Sequence, residues 1–97
     1  MAFVVAATWK AKPGEAERVT EVIKKMTPLS RAEEGNVFYQ AQVNPEDPET
    51  FFLYEQYADE AGYQAHAESE HFKRYALDDI FPRRESSERA VYETFEP

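Results

Sequence analysis

The chain contains no cysteine, which excludes disulfides, thiolate metal sites, iron–sulfur clusters and a cysteine nucleophile. Glycine is scarce, three in 97 residues, and none falls in a glycine-rich phosphate-binding pattern. Positive charge is in deficit: 11 Lys and Arg stand against 19 Asp and Glu, a net charge of −8. That is the wrong sign for tracking nucleic-acid phosphates by counterion release. Long apolar runs are missing too. The opening "MAFVVAATWK" lacks a basic leader and is too short for a signal peptide or a membrane span, so a cytoplasmic protein is expected, with no nucleic acid or membrane as partner.

Ninety-seven residues predict a single domain, 1–97. A domain of this size buries only about 60–65% of the surface its unfolded chain exposes, so stabilisation by a partner is expected. Phe3 to Lys10 reads as a strand, with Val5, Ala7 and Trp9 on one face and Val4, Ala6 and Thr8 on the other. A strand apolar on both faces is covered on both sides. In "KPGE", Pro13 suits a first helical turn. Ala16, Val19, Val22, Ile23, Met26 and Leu29 then recur at three- and four-residue steps, the pattern of an amphipathic helix that Pro28 should kink and Gly35 stop.

"NVFYQAQV" (36–43) and "TFFLYEQY" (50–57) are strand-like, joined through the two prolines of "NPEDPE" by a longer loop. Asp59 can cap a helix running through His66, and Ser69 a second one with Phe72, Tyr75, Ala76 and Ile80 on one face. "PRRESSE" (82–88) reads as a mobile polar loop, and Arg89 to Phe95 as a last strand. The order β-α-β-β-α(α)-β is the α+β, ferredoxin-like split βαβ with an antiparallel sheet. Because the strands are apolar on both faces, the sheet face away from the helices needs a cover, which predicts a homodimer with two sheets packed into a dimeric α+β barrel.

Both histidines of the chain lie in "AHAESEHF" (65–72). Five residues is the wrong interval for one helical face, where neighbours stand three or four apart. A break at Ser69 is therefore expected, with His66 ending one helix and His71 opening the next. Two titratable groups at such a corner can line one pocket.

The stretches "VVAATWKAKPGE", "SRAEEGNVFYQ" and "DPETFFLYEQYADEAGYQAHAESEHFKRY" resemble the antibiotic biosynthesis monooxygenase family of dimeric α+β barrels. The most specific part is the combination of "LYEQY", "AHAES" and the "HF" that follows. The resemblance implies a quinol-monooxygenase-like enzyme without metal or flavin, in which a deprotonated phenol or hydroquinone itself reduces dioxygen. It also implies that His66 faces the pocket and that His71 orients it or binds substrate oxygen. A neutral imidazole, with a free pKa of about 6.5, is a competent base at neutral pH. Heme-degrading relatives carry an asparagine and a heme-ligating histidine where this chain has Ala7 and Ala76, so axial ligation is lost here.

The candidate catalytic residues are thus His66 and His71. Trp9, Tyr39, Tyr54, Phe72 and Tyr75 are candidates for a wall that binds an aromatic ring, alongside core roles. Glu55 is a candidate that must be paired if buried. No cofactor and no metal is expected; a two-histidine metal site with Glu68 or Glu70 has the wrong spacing for one helix. Arg83 and Arg84 can clamp an anionic substrate or form a solvated charge pair. The leading expectation is a cofactor-independent monooxygenase acting with dioxygen on a small aromatic hydroquinone or phenol. The alternatives are a non-catalytic barrel that binds an aromatic ligand and an isomerase of a small phosphorylated signal molecule.

Overall fold

Residues 1–96 are described by a computed structural model. The central strand β1 (Phe3–Ala11) pairs with β3 (Asp47–Tyr57) on one side and β4 (Arg84–Glu93) on the other, and β2 (Asn36–Asn44) completes the antiparallel order β2-β3-β1-β4. Helices α1 (Ala16–Arg31), α2 (Glu60–Ala67) and α3 (Phe72–Ile80, π-helical) cover one face, and a short 3₁₀ turn, Phe81–Arg83, leads into β4. This is the expected ferredoxin-like β-α-β-β-α(α)-β arrangement.

Alternation along β1 divides the sheet as the residue types foretell. Ala7, Trp9 and Ala11 pack with Phe51 and Leu53 of β3 against Val19, Val22, Ile23 and Met26 of α1 and Ala76 and Ile80 of α3. On the other face, Ala6 pairs with Tyr54 and Thr8 with Phe52, while Phe38, Phe52 and Tyr92 remain exposed. Along α1, Leu29 is exposed and Ser30 takes the buried place beside it. Among the described residues no helix is long and apolar enough to cross a membrane.

Several local expectations are corrected. Pro13 does not open α1. It precedes Gly14 (φ +84°) in a turn closed by Glu15 N–H donating to Lys12 C=O at 3.0 Å, a type II geometry that needs glycine third. Helix α1 passes through Pro28 to Arg31 and is closed by Ala32 N–H donating to the Pro28 carbonyl. Only the last turn lies beyond the proline, so the interruption is tolerated. The 45–49 segment is not a long loop: Pro45 and Glu46 alone separate β2 from β3, the Asn44 side chain accepts from Glu46 N–H at 2.9 Å, and Pro48 falls in a register slip where no ladder bond is asked of it. The 82–88 segment is largely strand. β4 begins at Arg84 and pairs with β1 throughout; its polar residues suit an exposed edge strand.

Gly35 has a role other than stopping a helix. A Cβ built on it would lie 2.7 Å from the Gly62 Cα, and one on Gly62 would lie 3.1 Å from the Gly35 carbonyl oxygen. The start of β2 and the first half of α2 therefore touch backbone to backbone. The Gly35 carbonyl also accepts from Ala58 N–H at 2.9 Å. Gly35→Ala is expected to destabilise the fold by about 1–3 kcal/mol through overpacking, read as a lower urea midpoint at unchanged slope; Gly62→Ala should cost less.

Candidate active site

Asp59 caps α2 by accepting from Gly62 N–H at 2.9 Å, and Ser69 links α2 to α3 in two directions. Its hydroxyl donates to the His66 carbonyl at 2.7 Å and accepts from Phe72 N–H at 3.1 Å. The corner expected between the histidines is thus formed. Both rings turn inward to a carboxylate in the connection between α1 and β2: Glu33 Oε2 lies 2.8 Å from His66 Nδ1 and 2.5 Å from His71 Nε2. The partner of the two histidines is Glu33, and not Glu68 or Glu70.

His66 is only 1% exposed. Its other nitrogen, Nε2, faces Glu55 Oε1 on β3 at 3.8 Å. Glu55 is itself buried and accepts from the Tyr57 hydroxyl at 2.6 Å. Burial pushes the Glu55 carboxyl above the ordinary carboxylate range, against the opposing pull of the Tyr57 hydrogen bond and the charges of His66 and Arg89. Tyr57 is raised by burial and by Glu55 beside it, so it remains a neutral donor.

Glu55 also lines a cavity of about 230 Å³ between the helix-side face of the sheet and α2, α3 and the 3₁₀ turn. Trp9, Tyr63, Phe72 and Phe81 supply aromatic walls, and Arg84 and Arg89 bring positive charge. Phe81 meets Trp9 and Phe72 edge-on, with centroids 5.7 and 5.8 Å apart. Arg84 stacks over Phe81 at 3.6 Å and Arg89 over Tyr63 at 5.1 Å. A larger groove of about 430 Å³ between α1 and β2 has only Lys24 and Arg31 as ionisable lining groups and contains neither histidine, so it offers no base.

The sequence candidates are distributed as follows. Trp9, Glu55 and Phe72 line the cavity. His66 stands behind Glu55, in edge contact with Phe72 at 5.1 Å. His71 lies beyond Glu33, beside a surface depression shared with Tyr75 and Arg74. Tyr39 is buried against His66, with centroids 5.9 Å apart. Tyr54 lies on the opposite sheet face, bonded to Gln56 and packed on Phe38. Arg83 is engaged by Glu15 and Asp79, leaving Arg84 to the cavity. Glu33, Tyr57, Tyr63, Phe81 and Arg89 were not singled out by the sequence. Glu33, His66 and His71 bring ligand-type atoms within 4.8 Å of one another, but these atoms are bonded to each other, and an ion could enter only by replacing both hydrogen bonds.

A ferredoxin-like α+β domain with a buried acid–histidine cluster behind an aromatic cavity is the class that fold and site define. The family model "Antibiotic biosynthesis monooxygenase" matches residues 2–76, and the chain belongs to that family. It is 33% identical over 73 residues to "Putative monooxygenase YcnE" of Bacillus subtilis (strain 168), covering 75% of this chain and 77% of that protein. Among solved structures, PA3566 from Pseudomonas aeruginosa superposes with a TM-score of 0.88 at 26% identity, covering 96% of this chain and 93% of that one. The "Putative antibiotic biosynthesis monooxygenase" of Nitrosomonas europaea superposes with a TM-score of 0.92 at 24% identity over 99% of this chain and 92% of that one, a likeness of fold.

The raised Glu55 carboxyl has a sign that can be tested. Ionisation of Glu55 is harder in the folded state than in the unfolded chain. It therefore costs stability as pH rises above the free carboxylate value of about 4.3, and the cost saturates above the raised folded value. Glu55→Gln is expected to melt at a higher temperature than the wild type at neutral pH, with the advantage shrinking as pH falls toward that range.

Proposed function

We propose that the protein is a cofactor-independent monooxygenase that oxidises a small hydroquinone or phenol with dioxygen. The observation that carries this reading is Glu55, a buried carboxylate with an elevated proton affinity, set in the wall of an aromatic cavity with an imidazole behind it. A carboxylate pushed upward by burial is a stronger general base than a free one. It takes the phenolic proton, and the His66 imidazole supports it from behind. Arg84 and Arg89 hold the resulting phenolate by charge. The phenolate passes one electron to dioxygen; the two radicals combine into a ring peroxide. The peroxide takes back the proton held at Glu55, and loss of water, which carries off the hydrogen of the attacked ring carbon, leaves a quinone with one oxygen atom on the ring and the other in water. The substrate supplies every electron.

The expected result is oxygen uptake by chelator-dialysed protein with members of a hydroquinone and naphthol panel. His66→Ala should lower kcat by about 10²–10⁴-fold, the usual range for one acid–base group. Turnover that disappears on dialysis and returns with a metal would overturn the cofactor-free mechanism. Binding of the panel without oxygen uptake would instead favour a ligand-binding barrel.

The same reading includes a homodimer. Phe38, Phe52 and Tyr92 are exposed on the sheet face away from the helices, and a second copy of that face is self-complementary by two-fold symmetry. Sedimentation at micromolar concentration should give one species of twice the chain mass, and a stable monomer there would remove the barrel.

A further inference from the structure

We propose that Glu33 is a positioning residue for His66, fixing its tautomer and direction, and that His71 anchors Glu33 from the far side. The inference rests on the functional reading above, in which His66 supports the proton taken at Glu55.

Each ring nitrogen of His66 faces a carboxylate, Nδ1 toward Glu33 at 2.8 Å and Nε2 toward Glu55 at 3.8 Å. An ionised carboxylate only accepts hydrogen bonds, so at 2.8 Å the neutral ring carries its proton on Nδ1. The lone pair is then on Nε2 and points at Glu55 and the cavity behind it, the direction in which a base is needed. Without Glu33 either tautomer is open to the ring, and the one protonated on Nε2 has nothing to accept with on that side.

The environment of Glu33 is consistent with this single task. Its carboxylate is mostly buried, and among the described residues its ion-pair partners are the two histidines alone, with no Lys or Arg. Its second oxygen, Oε1, is buried without a hydrogen-bond partner. A buried carboxylate so placed is balanced when an adjacent imidazole gains a proton. The titratable groups around His66 are Glu33 from the α1–β2 connection, Glu55 and Tyr57 from β3, Tyr39 from β2, Tyr63 on α2, and His71 leading into α3. Burial holds all three phenols neutral. Glu33, Glu55 and His71 are left to set the charge at the ring, with Arg89 of β4 acting on Glu55 from across Tyr63. The logic is that of the carboxylate in a catalytic triad, which orients the imidazole and stabilises its cation without taking the proton. His71 holds the shared oxygen at 2.5 Å from the outer side, where its own ring is partly exposed.

Glu33→Gln keeps the shape of the side chain and removes the charge. It should lower kcat with a hydroquinone about 10²-fold or more and leave KM nearly unchanged, since Glu33 does not line the cavity. Glu33→Asp should recover part of kcat, and His71→Ala should give a smaller loss of the same kind. Nitrogen-detected NMR of the histidine rings provides a readout independent of turnover: neutral His66 should carry its proton on Nδ1, with a strongly downfield N–H resonance that moves upfield in Glu33→Gln. Wild-type kcat in a folded Glu33→Gln protein would overturn the proposal, as would an Nε2–H tautomer of His66. If the wild type oxidises none of the panel, the functional reading fails by itself, and the tautomer decides this one.

Discussion

One oxygen atom, Oε2 of Glu33, organises the interior of this protein. It accepts from two imidazoles that belong to successive helices, and it reaches them from a connection 33 and 38 residues away in sequence. Charge-assisted hydrogen bonds in a buried setting are short and directional, and the removal of one partner leaves a polar group unpaired where water cannot replace it. The α1–β2 connection, the end of α2 and the start of α3 are thereby held to one point. Glu55 lies on the inner side of that point and the aromatic cavity beyond it.

Around this centre the polar groups are graded. Tyr57, kept neutral by burial, donates to Glu55; Glu55 is held above its ordinary range; the arginines stay at the cavity wall, stacked on Phe81 and Tyr63. A fold optimised for stability alone would place an apolar side chain at position 55. That two carboxylates and two imidazoles occupy this volume sets the site apart from ordinary core packing.

The periodic parts of the chain were legible because burial writes itself into residue type. The two faces of β1, the buried stripe of α1, the Ser69 corner and the β-α-β-β-α(α)-β order follow from spacing and pattern, and the resemblance to the family agrees with them. The misread segments are those where a backbone partner, not a side chain, decides. The polar run from Arg84 to Arg89 is a strand because β1 offers it a ladder, and Pro48 is tolerated because a register slip asks no hydrogen bond of it. At the site, His66, Glu55 and Trp9 could be named as scarce types or as a polar group in an apolar strand, and Phe72 as the aromatic that follows the histidine corner. Glu33 could not, since it stands beside Glu34 in a polar connection and its partners are distant in sequence. Tyr54 illustrates the converse limit: a one-residue step from Glu55 along β3 carries it to the opposite face of the sheet.

The contact between Gly35 and Gly62 bears on how the cavity can breathe. Two backbones in van der Waals contact contain no side-chain torsions through which to yield, so the spacing between α2 and the start of β2 behaves as a mechanical stop. The cavity wall that Arg84 forms by lying across Phe81 is, by contrast, a stack of rotatable side chains. Compliance is therefore concentrated on the Arg84 side, and a ring too wide for the resting cavity would be accommodated by displacement of the guanidinium while the acid–histidine wall keeps its dimensions.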